Sequence, residues 1–301
     1  MSRRGWLLFG AMGLIWGIPY LLIRVAVRDF PPGTLVFART AVGAALLTPL
    51  AIRRGVFRPL LSRWRIVLGY TAVEIAIPWL LLSEAEVRLS SSLAGLLIAS
   101  VPLIGAIILA FLPNDRHDER LTTTRIIGLA IGIGGVGLLM GVDLSSRDVW
   151  SVVEMCVTAI GYAVGPIIIA RRLSTLPSLG VVTASLLVTA VAYAPYAVTH
   201  WPAHVSAAAG WSVAGLGVIC TAIAFLLFFA LIDEVGPGRA TVVTYVNPAV
   251  AVLLGVGVLG ERFTLGIALG FPLILLGCVL ATRRAGPSLG DELVVPEIAE
   301  P

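Results

Sequence analysis

The chain has 301 residues, 58% of them hydrophobic and only 13% charged, with a formal net charge of +4. A soluble domain is nearer half apolar and a quarter charged, so this composition cannot supply a water-facing surface for a fold of this length. A mean hydropathy of +0.99 makes lipid the solvent, and the basic balance does not imply a nucleic-acid partner.

The opening "MSRRGWLLFGAMGLIWG" imitates a twin-Arg export signal. No small-x-small cleavage site follows it and nine further apolar stretches do, so it reads as an uncleaved first transmembrane helix. Windows of roughly 18–22 residues suit a bilayer core about 30 Å thick. Ten such spans are predicted, near 6–23, 33–52, 66–83, 91–112, 125–142, 149–170, 178–198, 211–231, 239–260 and 264–282. Their hydrophobicity is nearly continuous rather than alternating, which excludes a lipid-facing barrel. The expected class is an all-α integral membrane protein. Cys156, Cys220 and Cys278 lie inside apolar stretches without metal spacing. His200 and His204 flank Pro202 in a connection, so no metal site and no cofactor is expected.

Every basic residue is Arg. With the N-terminus inside, fifteen Arg fall in inner segments and five in outer ones. That asymmetry predicts cytoplasmic termini in a multi-pass protein of the cell (cytoplasmic) membrane. The acidic, Pro-containing tail, residues 285–301, is expected to be a disordered cytoplasmic segment.

The chain also repeats itself. Pro31 and Pro177, Pro49 and Pro195, Gly69 and Gly215, and Pro102 and Pro248 are each 146 residues apart, as are Trp16 and Tyr162. Beyond the fourth span the offset becomes 142, pairing Glu119 with Glu261, Thr122 with Thr264, Gly128 with Gly270 and Gly135 with Gly277. Extra residues in "PNDRHDER" account for the change. A repeat of five helices enters the membrane from alternate sides, so residues 1–142 and 149–284 are expected to form two inverted five-helix repeats. That arrangement is typical of secondary transporters, with the substrate near the midplane between the halves.

"LIWGIPYLLIR" (14–24), the in-span Arg39, "SSLAGLLIASVPLIGAIILAFL" (91–112), "ERLT" with "GLAIGIGGVGLL", and above all "YVNPAVAVLLGVGVLGERFTLG" together resemble the drug/metabolite transporter superfamily. The likeness is to two EamA-type repeats covering nearly all of residues 6–283. The resemblance implies a ten-helix carrier of small organic metabolites or drugs, often outward. The sequence departs from the pattern at "PNDRHDER" and at "GYAVGP", so the substrate class is not carried over.

Several in-span residues can carry such a function. Glu74 lies about 12 Å into the third span, and Glu154 one to two turns inside the sixth. A carboxylate at depth is costly unless protonated, paired or facing water, so each is either a candidate proton carrier or a hydrogen-bonded helix contact. Arg39, well inside its span, is expected to pair with Glu74 or Glu154, to meet an anionic substrate group, or to reach the interface. Trp16, Tyr20, Trp79, Tyr162 and Tyr245 offer aromatic faces with a polar tip, for stacking on a substrate or for packing. Thr158 shares a small, polar helix face with Glu154, and Asn247 precedes Pro248. Pro102 and Pro248 each remove a backbone hydrogen bond and are candidate hinges. The glycines of the fifth and tenth spans are expected to allow close helix contacts.

The reading is a secondary transporter, an exporter working by alternating access, whose partners are a small organic substrate, the lipid bilayer and a proton as candidate coupling ion. The alternatives are a membrane enzyme, disfavoured because no catalytic set or in-span His occurs, and a channel or scaffold. No Walker loop suggests an ATP-driven pump.

Overall fold

The computed structural model describes residues 1–111, 122–143 and 148–282. Among them it contains no strand and ten helices long and apolar enough to cross a membrane. We number these as spans in chain order: Arg3–Ala26, Pro32–Arg53, Arg58–Arg88, Ser91–Phe111, Thr123–Met140, Val149–Leu173, Ser178–Thr199, Ala207–Val235, Thr241–Leu259 and Leu265–Thr282. Span three is longer than the predicted 66–83, and span eight longer than 211–231. Glu84, Glu86 and Glu234 end an apolar window, but they do not end a helix whose backbone bonds continue. Glu119 and the tail lie outside the described residues.

Side-chain ties show which helix ends share a face. Ser2 and Arg4 meet Glu234, Arg63 meets the Arg172 carbonyl, and the Tyr245 hydroxyl meets Thr282 at 3.0 Å. These mark the face carrying the N-terminus, here the near face. Arg24 reaches the carbonyls of Glu86 and Val87, Thr34 donates to the His200 carbonyl, and Asp29 accepts from Ser206 N. These mark the far face. The Ser206 hydrogen bonds hold the Asp29 carboxyl below the usual carboxylate range. The sign is that of a depressed acid: its support for the start of span eight lasts to lower pH than an unperturbed Asp would allow.

The inverted repeat is visible in backbone irregularities. Span three contains a π-helical segment, Thr71–Ala76, and span eight another, Val218–Ile223. Shifted by the 146-residue offset, the first falls within one residue of the second. A π segment frees backbone groups from the regular ladder; the Ala76 carbonyl accepts the Tyr193 hydroxyl at 2.9 Å. Spans four and nine are both interrupted just before their prolines. Span four breaks between Ser91–Ile98 and Val101–Phe111, ahead of Pro102. Span nine runs as a 3₁₀ segment, Thr241–Tyr245, before turning α-helical at Asn247, ahead of Pro248. Proline lacks the donor for the carbonyl four residues back and disfavours α geometry in the residue before it, which is why both breaks sit where they do. Paired breaks in equivalent spans are the usual pointer to a midplane site.

Packing obeys the same symmetry. Spans five and ten meet through glycine with almost no space between backbones. A Cβ on Gly128 would fall 2.5 Å from Ala281 N, and one on Gly135 would fall 2.9 Å from Ile274 N. Gly128 faces Gly277 and Gly135 faces Gly270. Exchanging repeat mates converts the first contact into the second, as a twofold axis requires. Thr122 and Thr264, also mates, cap their helices in the same way. Each hydroxyl accepts a backbone N–H in the first turn of its span, from Arg125 and Ile267. Spans two and seven pair with each other, span one packs on spans eight and nine, and span six packs on spans three and four.

Glu261 locks the far face. Span nine ends at Gly260, whose φ of 66° is the left-handed conformation glycine adopts freely. The turn aims Glu261 at the start of span four. Its carboxylate accepts Ser91 N at 2.7 Å and Ser92 N at 2.9 Å, together with both serine hydroxyls, while Ser90 Oγ takes Leu93 N. The free N–H groups of that helix start are thus filled by an anion on the favourable end of its dipole. Gly255 leaves the necessary room, since a Cβ there would fall 2.3 Å from Glu261 Oε2. Glu261→Ala orphans donors on two fully buried serines. We expect a loss of at least about 2 kcal/mol, seen as a lowered Tm of the purified protein. Glu261→Gln, with one acceptor oxygen instead of two, recovers only part of it.

Candidate functional site

Arg39 is the centre of the site. Span two carries it about 10 Å from its far-face end, and only 7% of it is exposed. Its guanidinium carbon lies 3.6 Å from the centroid of the Trp79 ring on span three, a cation–π stack. Its Nε donates to Thr221 Oγ1, at 3.1 Å, in the π segment of span eight. Tyr20, Tyr162, Cys220 and Glu86 surround it closely enough to interact electrostatically. Four of the predicted residues, Tyr20, Arg39, Trp79 and Tyr162, therefore converge. They come from spans one, two, three and six, so both repeats contribute. Neither predicted acidic partner forms an ion pair with Arg39.

Glu154 is instead tied to Arg88, at the far-face end of span three. Arg88 Nη2 approaches the two carboxylate oxygens at 3.1 and 2.9 Å, and its Nε donates to Ser151 at 2.6 Å. The expected polar stripe on span six is accordingly a helix contact along part of its length. Thr158 donates to the Glu154 carbonyl at 2.8 Å and to the Pro78 carbonyl at 3.4 Å. A Cβ on Gly161 would fall 2.3 Å from the Val73 carbonyl oxygen. Glu74, in the π segment, lies against Gly165, with its Oε2 buried and accepting no hydrogen bond. It is near Tyr162 and Tyr70.

The remaining residues stand apart from Arg39. Trp16 packs on Phe228 and Phe225 of span eight, ring centroids 4.6 and 6.3 Å away. Tyr245 is held by Thr282 at the near face. Asn247, with its amide oriented to suit its neighbours, donates to the carbonyls of Val243 at 3.0 Å and Gly13 at 3.3 Å. It thereby fastens the start of the regular helix before Pro248 to span one.

Sequence reasoning passed over Glu86. It was placed beyond the end of span three, yet it is fully buried and neither of its carboxyl oxygens has a hydrogen-bond partner. The available signal was its position seven residues after Trp79, which puts both on one helical face. On the far face, a cleft of about 220 Å³ is lined by Arg88, Ser90, Asp148, Glu261 and Arg262 among others.

Comparison with known proteins agrees with the repeat. The profile of the EamA-like transporter family matches residues 3–141 and again residues 149–283. The uncharacterized inner membrane transporter YedA of Escherichia coli strain K12 is 28% identical, over 91% of this chain and 90% of its own length. The uncharacterized transporter YvbV of Bacillus subtilis strain 168 is 22% identical, over 93% and 92%. A probable terminal-alkyne amino-acid exporter of Streptantibioticus cattleyicolor is 24% identical, over 94% and 95%. One solved crystal structure has the same fold, with a TM-score of 0.65 at 22% identity, covering 94% of this chain and 98% of that one.

Proposed function

The chain belongs to the EamA-like transporter family, and from that premise we propose that it is a secondary exporter of small organic molecules, working by alternating access about Arg39. The observation that carries this reading is the shared ownership of Arg39's surroundings. Arg39 and Trp79 belong to the first repeat, and Thr221, Tyr162 and Cys220 to the second. A rocking of one repeat against the other must remake that set, so a ligand bound there couples to the motion. A buried guanidinium stacked on an indole is suited to a carboxylate or another anionic group beside an apolar body. The exporter of terminal-alkyne amino acids among the relatives is in keeping with a carboxylate-bearing substrate.

Three far-face ties would have to open for release on that side: Arg24 on the span-three carbonyls, Arg88 with Glu154, and Glu261 on span four. The prolines Pro102 and Pro248, each beside a helix break, are the proposed hinges. The Arg asymmetry supports termini in the cytoplasm and release of substrate outside. A proton is the proposed driving ion, since Glu74 and Glu86 hold buried carboxyl oxygens with no hydrogen-bond partner.

A thermal-shift screen of small carboxylates on the purified protein tests the site. A ligand at a hundred times its Kd stabilises the folded state by about 2.7 kcal/mol. Carboxylate-bearing compounds should raise the Tm of the wild type and leave Arg39→Gln unmoved. Equal shifts in both proteins would place binding elsewhere.

A further inference from the structure

We propose that Glu86 is the point at which an ammonium group on the substrate exchanges with a proton, so that the chain takes amine-bearing organic acids and exports each against one proton. The proposal rests on Arg39 as the carboxylate site and adds the second half of the substrate. Glu86 is 0% exposed, and neither carboxyl oxygen has a fully formed hydrogen bond among the described residues, although the Arg24 backbone N–H is directed toward the carboxyl. The groups facing it are Arg24 and Tyr20 of span one, Arg39 of span two, Tyr162 of span six and Glu261 of the far-face turn. The two cations are engaged elsewhere. Arg24 Nη1 is bound to the backbone carbonyls of Glu86 and Val87, and Arg39 to Thr221 and the Trp79 ring. Glu261 is occupied by four hydrogen bonds from span four.

A buried carboxyl with no fully formed hydrogen bond is carried as the neutral acid, because an unpaired carboxylate in such a place costs several kcal/mol. An incoming ammonium changes this. It brings three donors and a full positive charge, so the carboxyl can ionise against it. The Glu86 O–H bond breaks, its proton leaves to water, and a carboxylate–ammonium pair remains. One proton departs for each ammonium bound, and reprotonation expels the amine. The other buried acids lack these conditions: Glu154 already has Arg88, and the Glu74 side chain is packed against Gly165. Trp79 and Glu86 lie on one face of span three, about 10 Å apart along its axis. That spacing favours substrates whose acid and amine are separated by several bonds.

The test uses purified wild type, Glu86→Gln and, as a control, Glu84→Gln in weakly buffered detergent. The probes are β-alanine, 4-aminobutyrate, 6-aminohexanoate and hexanoate at millimolar concentration, read by thermal shift and by a pH indicator. At least one amino acid should stabilise the wild type and release about one proton per molecule bound, whereas hexanoate should bind without release. Glu86→Gln, a neutral mimic of the acid, should still bind hexanoate, but should bind the amino acids at least about tenfold more weakly and release no proton. Glu84→Gln, which alters a carboxylate on the same span with no part in the proposed site, should behave as the wild type. Undiminished amino-acid binding to Glu86→Gln, or binding to the wild type without proton release, overturns the proposal while leaving Arg39 as the carboxylate site. If hexanoate and the amino acids all fail to bind, the Arg39 reading falls as well. If Glu86→Gln does not fold, proton release by the wild type decides alone.

Discussion

Arg39→Gln should abolish transport while the protein still folds. The guanidinium is desolvated, stacked on Trp79 and tied to Thr221, and no other cation among the described residues stacks on that ring. Removing it deletes the positive charge that would receive a carboxylate in a medium of low dielectric. Truncating one partner of a buried charge pair costs about 2–5 kcal/mol, so affinity should fall by a factor on the order of a hundred or more. The fold should survive, because Gln replaces a buried ion with a neutral group that can still donate to Thr221. Arg39→Lys is not a mild change. An ammonium keeps the charge but loses the planar stack and the forked geometry, and roughly a tenfold loss of affinity is expected. Uptake into proteoliposomes, alongside Tm, separates the effects: a defect in transport with a Tm close to wild type is the expected pattern. A large fall in Tm for Arg39→Gln would instead make Arg39 a structural residue.

Gly277→Val prevents spans five and ten from meeting and should be the most damaging single change to folding. A Cβ at Gly277 would fall 2.4 Å from both the Cα and the N of Gly132, and 2.7 Å from the Gly128 carbonyl oxygen. These are backbone atoms, so no rotamer change relieves the overlap and the helices must separate. Inside the bilayer that separation removes the close van der Waals packing on which helix association depends. Overpacking ordinarily costs about 1–3 kcal/mol, and here the whole interface shifts, so the upper end or beyond is expected. Gly134 is the control. It lies on the same span as Gly132 and Gly135, but a Cβ there meets nothing within 4 Å, and Gly134→Ala should leave both Tm and the size-exclusion profile unchanged. Equal tolerance at both positions would show that the two spans do not pack as described.

The architecture was legible because it rests on residues whose backbone demands survive divergence. Prolines and glycines at fixed offsets mark breaks and close contacts, and those breaks and contacts stand where the offsets put them. Arg39 stood out because a charge within an apolar run is visible without any knowledge of neighbours. Its surroundings were not, since Trp79 and Thr221 are brought to it by helix packing across 40 and 182 residues of chain. For the same reason the expected pairing with Glu154 could not anticipate Arg88, which sits at the end of span three where that end meets span six. Glu86 was hidden because hydropathy stops a span at its first charges, whereas the helix continues and buries one of them. Glu261 could be read as a turn residue, but its partners lie 170 residues upstream, at the start of a helix that only the fold places beside it.

Counterflow in proteoliposomes tests the central claim most directly, using the tightest ligand of the thermal screen. Vesicles preloaded with unlabelled ligand and diluted into a trace of labelled ligand should accumulate label transiently above equilibrium, and Arg39→Gln vesicles should not. An alternating-access carrier returns loaded and so exchanges one molecule for another. Label that merely equilibrates, at the same rate with or without preloading, would contradict a carrier and favour a channel.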